Sequence, residues 1–389
     1  MESLKHHKPL IGVFLMTFLY AFHYGIPMYA SSTFLGLSFS SAKVSLIYAV
    51  ASMLTLVISL HMAKYLRRFH TYQFTQGLVI TEIIITLALA MTHNVYLIAF
   101  FFITHFILTV LIYISLNTFV ESFSPHHEVG MIRGVFLTVL NMGILISPFF
   151  GGQILARGGY ETLYIVAACV LIPFTFFLRR FMKDIPDPRF SKIEILEAFN
   201  RARKDKNLGP VLLATFLLES FFTVMVIYSP LYLGGIGIPL TSYLTAILPI
   251  ALLPLVILPY ELGVLADTKI GEKELLITGL LLMAVMSMVM ALTTTSNIIV
   301  WAAILFMARV GAACVETMTF TYYFKKISSK DIGLISVFTN MRALATIIVP
   351  LIGIIISPLV ITYPGLMFVL LSVILLYGAL RVVPIKDTR

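Results

Sequence analysis

Apolar residues in this chain arrive in runs of about 20, separated by short polar breaks, from one end to the other. That is the length an α-helix needs to cross a hydrocarbon core of roughly 30 Å at 1.5 Å per residue. The runs predict spans near 9–31, 44–63, 75–93, 95–120, 131–156 and 160–182, and a second set near 209–233, 240–262, 274–294, 297–323, 333–357 and 363–382. The expected fold class is therefore an all-α membrane protein of twelve transmembrane helices. The opening MESLKHHKPL leads into an apolar run longer than a signal-peptide core and without a clear A-x-A site, so it is read as the first span.

Composition agrees. Of 389 residues 59% are hydrophobic and 12% charged, with mean hydropathy +0.99, and a soluble domain of this size needs far more charge on its surface. Charge placement sets the orientation. With the N-terminus cytoplasmic, all but four of the 27 Lys and Arg fall on cytoplasmic segments; Lys43 and Arg157 lie outside, Arg309 and Arg342 within spans. Both termini are thus expected to be cytoplasmic, in a cell membrane. The net charge of +9 reflects topology and anionic lipid, not nucleic acid. Cys169 and Cys314 fall inside apolar runs without metal-ligand spacing and are read as core residues.

The two sets of spans read as copies. Pro27-Met28-Tyr29 matches Pro230-Leu231-Tyr232, Gly77-Leu78 matches Gly279-Leu280, and Pro148 with Gly151 matches Pro350 with Gly353, each about 202 residues on. The expected organisation is a six-helix bundle over 1–182, a cytoplasmic amphipathic linker over 183–208, and a second six-helix bundle over 209–389. Ile193, Leu196, Phe199 and Ala202 give the linker a short apolar stripe, placing it on the membrane surface. Parallel repeats of this kind are a transporter architecture, with the substrate at the repeat interface.

Two segments carry more specific signals. After the eighth span comes Gly263-Val264-Leu265-Ala266-Asp267-Thr268-Lys269-Ile270-Gly271-Glu272-Lys273. The corresponding first-half loop, His61 to Arg68, has basic residues but no acid. The fifth span carries Gly134, Gly143, Ser147-Pro148 and Gly151-Gly152. Gly143, Ser147 and Gly151 at i, i+4 and i+8 make a small-residue strip for close helix contact; its expected partner is the eighth span, bent by Pro249, Pro254 and Pro259. The loop resembles the cytoplasmic signature of the major facilitator superfamily, with one extra residue before Gly271 and an acid at Glu272 where a base is usual. The fifth span resembles that of the superfamily's proton-coupled antiporters, with Ser147 where glycine is usual. The resemblance implies a cytoplasmic gate of Gly263, Asp267 and Gly271 closing on Arg133, and a central cavity lined by spans 1, 4, 7 and 10.

Ionisable groups within spans are costly and hence functional candidates: His23, Glu82, His105, Glu219, Arg309, Glu316 and Arg342. Glu82 lies on a supporting span by the resemblance and is read as structural. Glu316 and Arg342 lie at similar depth, roughly 12 and 14 Å in, and are expected to pair. Arg309 is about 10 Å along the axis from Glu316. Glu219 is left without a partner at its depth and heads a polar stripe with Thr215 and Thr223, which makes it the leading proton-coupling residue, with Glu316 and His105 next; a static pair with Arg309 is the alternative. His23 with Tyr24, His105 with Tyr113, Thr223 and Arg309 are the expected substrate-cavity residues, although structural histidines fit equally well. The pair His126-His127 is read as a solvated loop.

Substrate chemistry is thinly encoded. Three Gln outside the cavity spans argue against a sugar, whereas 30 Phe and 18 Met suit amphipathic or cationic molecules. No phosphate-binding glycine loop, metal-ligand cluster or nucleophile elbow is legible. The expectation is a non-enzymatic, cofactor-free monomer that moves a small molecule by alternating access and proton-coupled antiport, with partners limited to substrate, protons or another coupling ion, and lipid. An uptake carrier for a nutrient, metal or lipid-like solute is the alternative, and a non-transporting sensor the third reading.

Overall fold

The computed structural model describes residues 2–61, 70–123, 129–183, 195–326, 332–360 and 362–386. Contacts divide the chain into two compact units, Met1–Phe39 with Val50–Ser191, and Ser40–Ala49 with Lys192–Arg389. Among the described residues every regular element is helical. Ten stretches are long and apolar enough to cross a membrane, and the shorter Leu366–Val382 is equally apolar. Most of the first loop, 62–69, the pair His126-His127 and linker residues 184–194 lie outside the described residues.

The first unit is built from α1 (Glu2–Met28), α2 (Ser31–Gly36), most of α3 (Ser41–Leu60), α4 (Thr71–Met91), α5 (Val95–Ser122) and α6 (Val129–Met182). At 54 residues α6 would run about 80 Å if straight, far beyond any bilayer. It breaks at Gly159, whose φ of 66° and ψ of −167° are open to glycine at little cost. This is the break expected between 156 and 160. Beyond it the chain returns beside α1, where the Tyr160 hydroxyl donates to Thr33 Oγ1 at 3.0 Å and Tyr164 meets Ser31 at 3.2 Å.

The other arm of α6 lies along α1 at backbone distance. A Cβ on Gly143 would stand 2.5 Å from that of Ala21 and 3.2 Å from the Phe18 carbonyl oxygen. One on Gly151 would stand 2.7 Å from the Ile26 carbonyl oxygen, and one on Gly25 would overlap the Ser147 hydroxyl. The small-residue strip therefore takes α1 as its partner, where the sequence pattern points to the eighth span. Spacing shows that a face is small; it does not show which helix fills it. Around this seam Val13, Met16, Ile112, Leu116, Leu171 and Leu178 are fully buried.

The second unit contains α7 (Ile195–Lys204), α8 (Leu208–Ile227), α9 (Ser229–Gly235), α10 (Leu240–Ala266), α11 (Glu272–Leu292), α12 (Ile298–Lys326), α13 (Ile332–Thr339), α14 (Met341–Val360) and α15 (Leu366–Val382). Gly279 of α11 and Gly311 of α12 face each other, each so close that a Cβ would come within 2.8 Å of the other's carbonyl oxygen. The α10 segment is punctuated: a π-helical turn at Tyr243–Ile247 and short helical pieces starting near Pro249, Pro254 and Pro259. Each proline lacks the N–H that would continue the ladder. The linker helix α7 packs on α8 and α13, burying Ala198 and Ala202. Of the stripe expected on the membrane surface, Ala202 is buried and Phe199 half-buried, while Ile193 and the Leu196 side chain lie outside the described residues. Cys314 is buried as expected, but Cys169 is exposed; in a lipid-embedded bundle an apolar run need not face inward.

The seam on α6 yields a differential expectation. Gly143→Leu should cost about 1–3 kcal/mol through overpacking against α1 backbone, lowering the melting temperature of the detergent-solubilised protein by several degrees. Gly134→Leu, in the same motif but with open space around it, should leave it nearly unchanged. Equal losses at both positions would show that the strip is not a packing seam.

Candidate functional site

In the first unit α1, α4 and α5 bring His23, Glu82 and His105 together, all buried. His23 Nδ1 lies 2.8 Å from the Ala167 carbonyl oxygen. A carbonyl only accepts, so Nδ1 carries a proton, and the 3.0 Å contact of Nε2 with Glu82 Oε1 holds a second proton on the imidazole or the carboxyl group. His105 Nδ1 approaches the same oxygen at 2.5 Å, and the Thr86 hydroxyl donates to it at 3.0 Å. Oε1 thus serves three partners while Oε2 is buried with none among the described residues. The two imidazoles meet edge to face at 5.8 Å, and His105 also meets the rings of Phe102 and Tyr164 at 6.3 and 6.4 Å.

Glu82, read from the sequence as structural, is fully buried at the centre of a polar cluster. A cluster of metal-ligand character exists, assembled from three helices 59 and 23 residues apart in sequence, beyond the reach of local spacing. The one local signal was Glu82 with Thr86 at i+4, which places two polar groups on one face of an apolar helix.

In the second unit Glu219 on α8, Glu316 and Arg309 on α12, and Arg342 on α14 form an electrostatic cluster. Glu219 feels Arg342; Glu316 feels Glu219, Arg309 and Arg342. Glu316 and Arg342, expected to pair, lie within electrostatic range of one another, and so do Glu219 and Arg342, so Glu219 is not isolated as its depth suggested. Arg309 comes within electrostatic range of Glu316 despite their axial offset. Its guanidinium also sits 5.4 and 5.1 Å from the ring centres of Phe221 and Phe222 on α8, where the negative face of each ring favours a cation. The Thr223 hydroxyl turns back to the Glu219 carbonyl at 2.8 Å and that of Thr215 to Val211 at 2.9 Å. The polar stripe expected around Glu219 is therefore satisfied within its own helix.

Among the remaining expected residues, Tyr24 stacks on Tyr20 and Tyr20 on Tyr113, with ring centres 6.2 and 6.1 Å apart. Tyr113 continues to Phe136 at 6.3 Å, so these tyrosines belong to an aromatic ladder. Pro148 and Gly152 are buried in α6. At the expected cytoplasmic gate the side chains of Arg133 and Asp267 lie outside the described set. Gly263 has open space beside it, and Gly271 takes φ 97°, ψ 159° as it starts α11, a conformation that L side chains rarely adopt. Glu272, the departure from the family pattern, is buried and accepts a 2.5 Å bond from Lys325 Nζ at the end of α12. The acid sits in the first turn of α11, where the free N–H groups favour negative charge.

The comparisons agree with this architecture. The family model of the Major Facilitator Superfamily matches residues 13–350, and the chain belongs to that superfamily. It is a multi-pass membrane transporter and not an enzyme. Among solved structures it is similar to a bacterial homologue of the human lysosomal transporter Spinster in an inward-facing, occupied conformation, with TM-score 0.78 and 13% identity over 96% of this chain and 95% of that one. It is also similar to a point mutant of the nucleoside transporter NupG, with TM-score 0.74 and 10% identity over 97% of this chain and 99% of that one. Likeness at such identity concerns the fold alone. No curated protein matches by sequence.

Arg309 can be held chiefly by carboxylate or by rings, and mutation separates these. Arg309→Met removes both ring contacts along with the guanidinium's attraction to Glu316 and should cost about 2–4 kcal/mol. Phe222→Leu removes one cation–π contact and should cost about 1–2 kcal/mol, packing included. Thermal unfolding of both variants is the measurement; similar small losses would show that the carboxylates do not depend on Arg309.

Proposed function

We propose that this protein is a proton-coupled secondary transporter that exports a small amphipathic or cationic molecule by alternating access. The carrying observation is the grouping of Glu219, Glu316, Arg309 and Arg342. Two carboxylates and two guanidiniums are neutral together, and binding a single proton changes that balance by one unit at a place where Arg309 is buried, Glu219 half-buried, and Glu316 and Arg342 open to an approaching substrate. A cationic substrate makes the same change. Proton and substrate then compete for one carboxylate pair, which is the thermodynamic core of antiport: loading one favours release of the other. Glu219 and Glu316 carry the coupling in this reading, and Arg342 and Arg309 hold the pair when it is empty.

The same reading takes the chain as twelve spans in two six-helix repeats, with the arms of α6 on either side of Gly159 as two spans and Leu366–Val382 as the last. A pair of contacts supports the repeat. In the first unit Gly151 packs against Ile26, and in the second Gly353 packs against Tyr228; both partners lie 202 positions apart. The Lys and Arg distribution places both termini in the cytoplasm of a cell-membrane monomer, and Asp267 with Arg133 as the inner gate rests on the loop's likeness to the family signature.

The test uses full-length protein in liposomes loaded with a pH-sensitive dye. A panel of amphipathic cations, nucleosides and lysolipids is added under an imposed proton gradient. At least one amphipathic cation should evoke proton movement in the wild type. Glu219→Gln should reduce that movement tenfold or more while radiolabelled substrate still exchanges across the membrane without a gradient. Uptake that ignores the proton gradient, or proton movement evoked only by neutral compounds, would overturn the antiport reading.

A further inference from the structure

We propose that His23, Glu82 and His105 form a binding site for one divalent transition-metal ion of the zinc class within the first unit. Their ligand atoms lie within 4.8 Å of one another, and all three residues are buried. Two imidazole nitrogens and a carboxylate are a donor set that zinc, cobalt and their neighbours accept and that magnesium and calcium, which prefer oxygen, do not.

The surroundings prepare these donors. The Ala167 carbonyl holds the Nδ1 proton of His23, so that loss of the proton shared between Nε2 and Glu82 on metal binding leaves the Nε2 lone pair aimed at the cluster. A backbone carbonyl on the far nitrogen is what orients and polarises a metal-bound histidine. The Thr86 hydroxyl donates to Glu82 Oε1 and steadies the carboxylate in the same way. Glu82 Oε2, buried and without a partner among the described residues, is a desolvated acceptor that hydrogen bonds within the triad leave unused. An ion between the three residues satisfies it. The spacing is close to what coordination needs: ligand bonds of about 2.0–2.2 Å on a tetrahedral centre put donors roughly 3.3 Å apart, against the present 3.0 and 2.5 Å. The two imidazole nitrogens lie within 4.8 Å of one another, and side-chain torsions supply the freedom to draw all three donors onto one centre. The rings of Phe102 and Tyr164 pack against His105, and Glu82 Oε2 or a water completes a tetrahedral shell. A bound ion would clasp α1, α4 and α5 together.

This site shares no residue with the carboxylate–arginine cluster, so its failure and the failure of the antiport reading are separate results. The experiment is metal titration of the full-length protein in detergent, purified without a histidine tag and stripped with chelator. Cobalt(II) reports through its visible ligand-field absorption, and zinc through elemental analysis after desalting. The expected result is one equivalent of either ion, a tetrahedral-type cobalt spectrum, and a melting temperature raised by several degrees on adding zinc. Glu82→Gln and His105→Gln should abolish the spectrum, whereas His61→Ala, an exposed histidine outside the cluster, should keep it. Thr86→Val, which leaves all three ligands in place, should bind cobalt about 10–100-fold more weakly and keeps the test decisive if the ligand variants do not fold. Absence of a stoichiometric ion in the wild type, or a cobalt spectrum and affinity unchanged in the Glu82, His105 and Thr86 variants, would overturn the assignment.

Discussion

A bilayer core offers no water to a polar group, and the rest of this structure follows from that. Backbone amides answer by forming helices wherever the chain is described. Hydroxyls answer locally: Thr17 donates to Val13, Thr55 to Ala51, Thr75 to Thr71, Ser287 to Met283 and Thr319 to Val315, each to the carbonyl one turn back at 2.7–2.8 Å. Carboxylates, imidazoles and guanidiniums cannot be satisfied so easily within one helix. They find each other across helices, in the two clusters described above and at the end of α12, where Lys325 meets Glu272. Elsewhere the helices meet at backbone distance through glycine, between α1 and α6 and at the Gly279–Gly311 contact.

Much of the fold is legible in the sequence because the bilayer imposes a length on every apolar run. The expected ends agree with α3, α4, α5, α11 and α12 to within a few residues. The turn at Gly159 is visible as a gap between runs. The linker is harder to read, because Ala198 and Ala202 are small and apolar, a pattern that fits a lipid surface as well as the flank of α8. The site is half legible. Burial cost flags every ionisable residue in a span and so finds all seven, but cost alone does not pair them. Depth counting pairs Glu316 with Arg342 and leaves Glu219 alone, because it measures position along the membrane normal and is blind to how helices face one another. Family analogy sets Glu82 aside as structural, and it does not show the contacts with His23 and His105 that the structure gives it.

On the proposed repeat the two units have divided their polar work. Positions 202 beyond His23, Glu82 and His105 hold Met225, Ala284 and Met307. Positions 202 before Glu219, Arg309, Glu316 and Arg342 hold Thr17, Ile107, Ile114 and Leu140. Each cluster is thus matched by apolar or uncharged residues in the other half. A symmetric transporter carrying both clusters twice would bear twice the desolvation cost. Placing each only once keeps the chemistry and lets the other half be plain packing.

The punctuated α10 has a consequence of another kind. Three prolines and a π-turn leave its ladder with gaps and with three-residue bonds such as Leu253 N–H to the Ile250 carbonyl at 3.3 Å. The unbroken α11 and α12 have no such gaps in their described ladders and share a glycine-tight interface. Local opening is easiest where a segment has the fewest cooperative bonds to lose. In deuterated buffer, then, α10 should be the first of the apolar segments to take up label, bending at its prolines while its neighbours keep their protons.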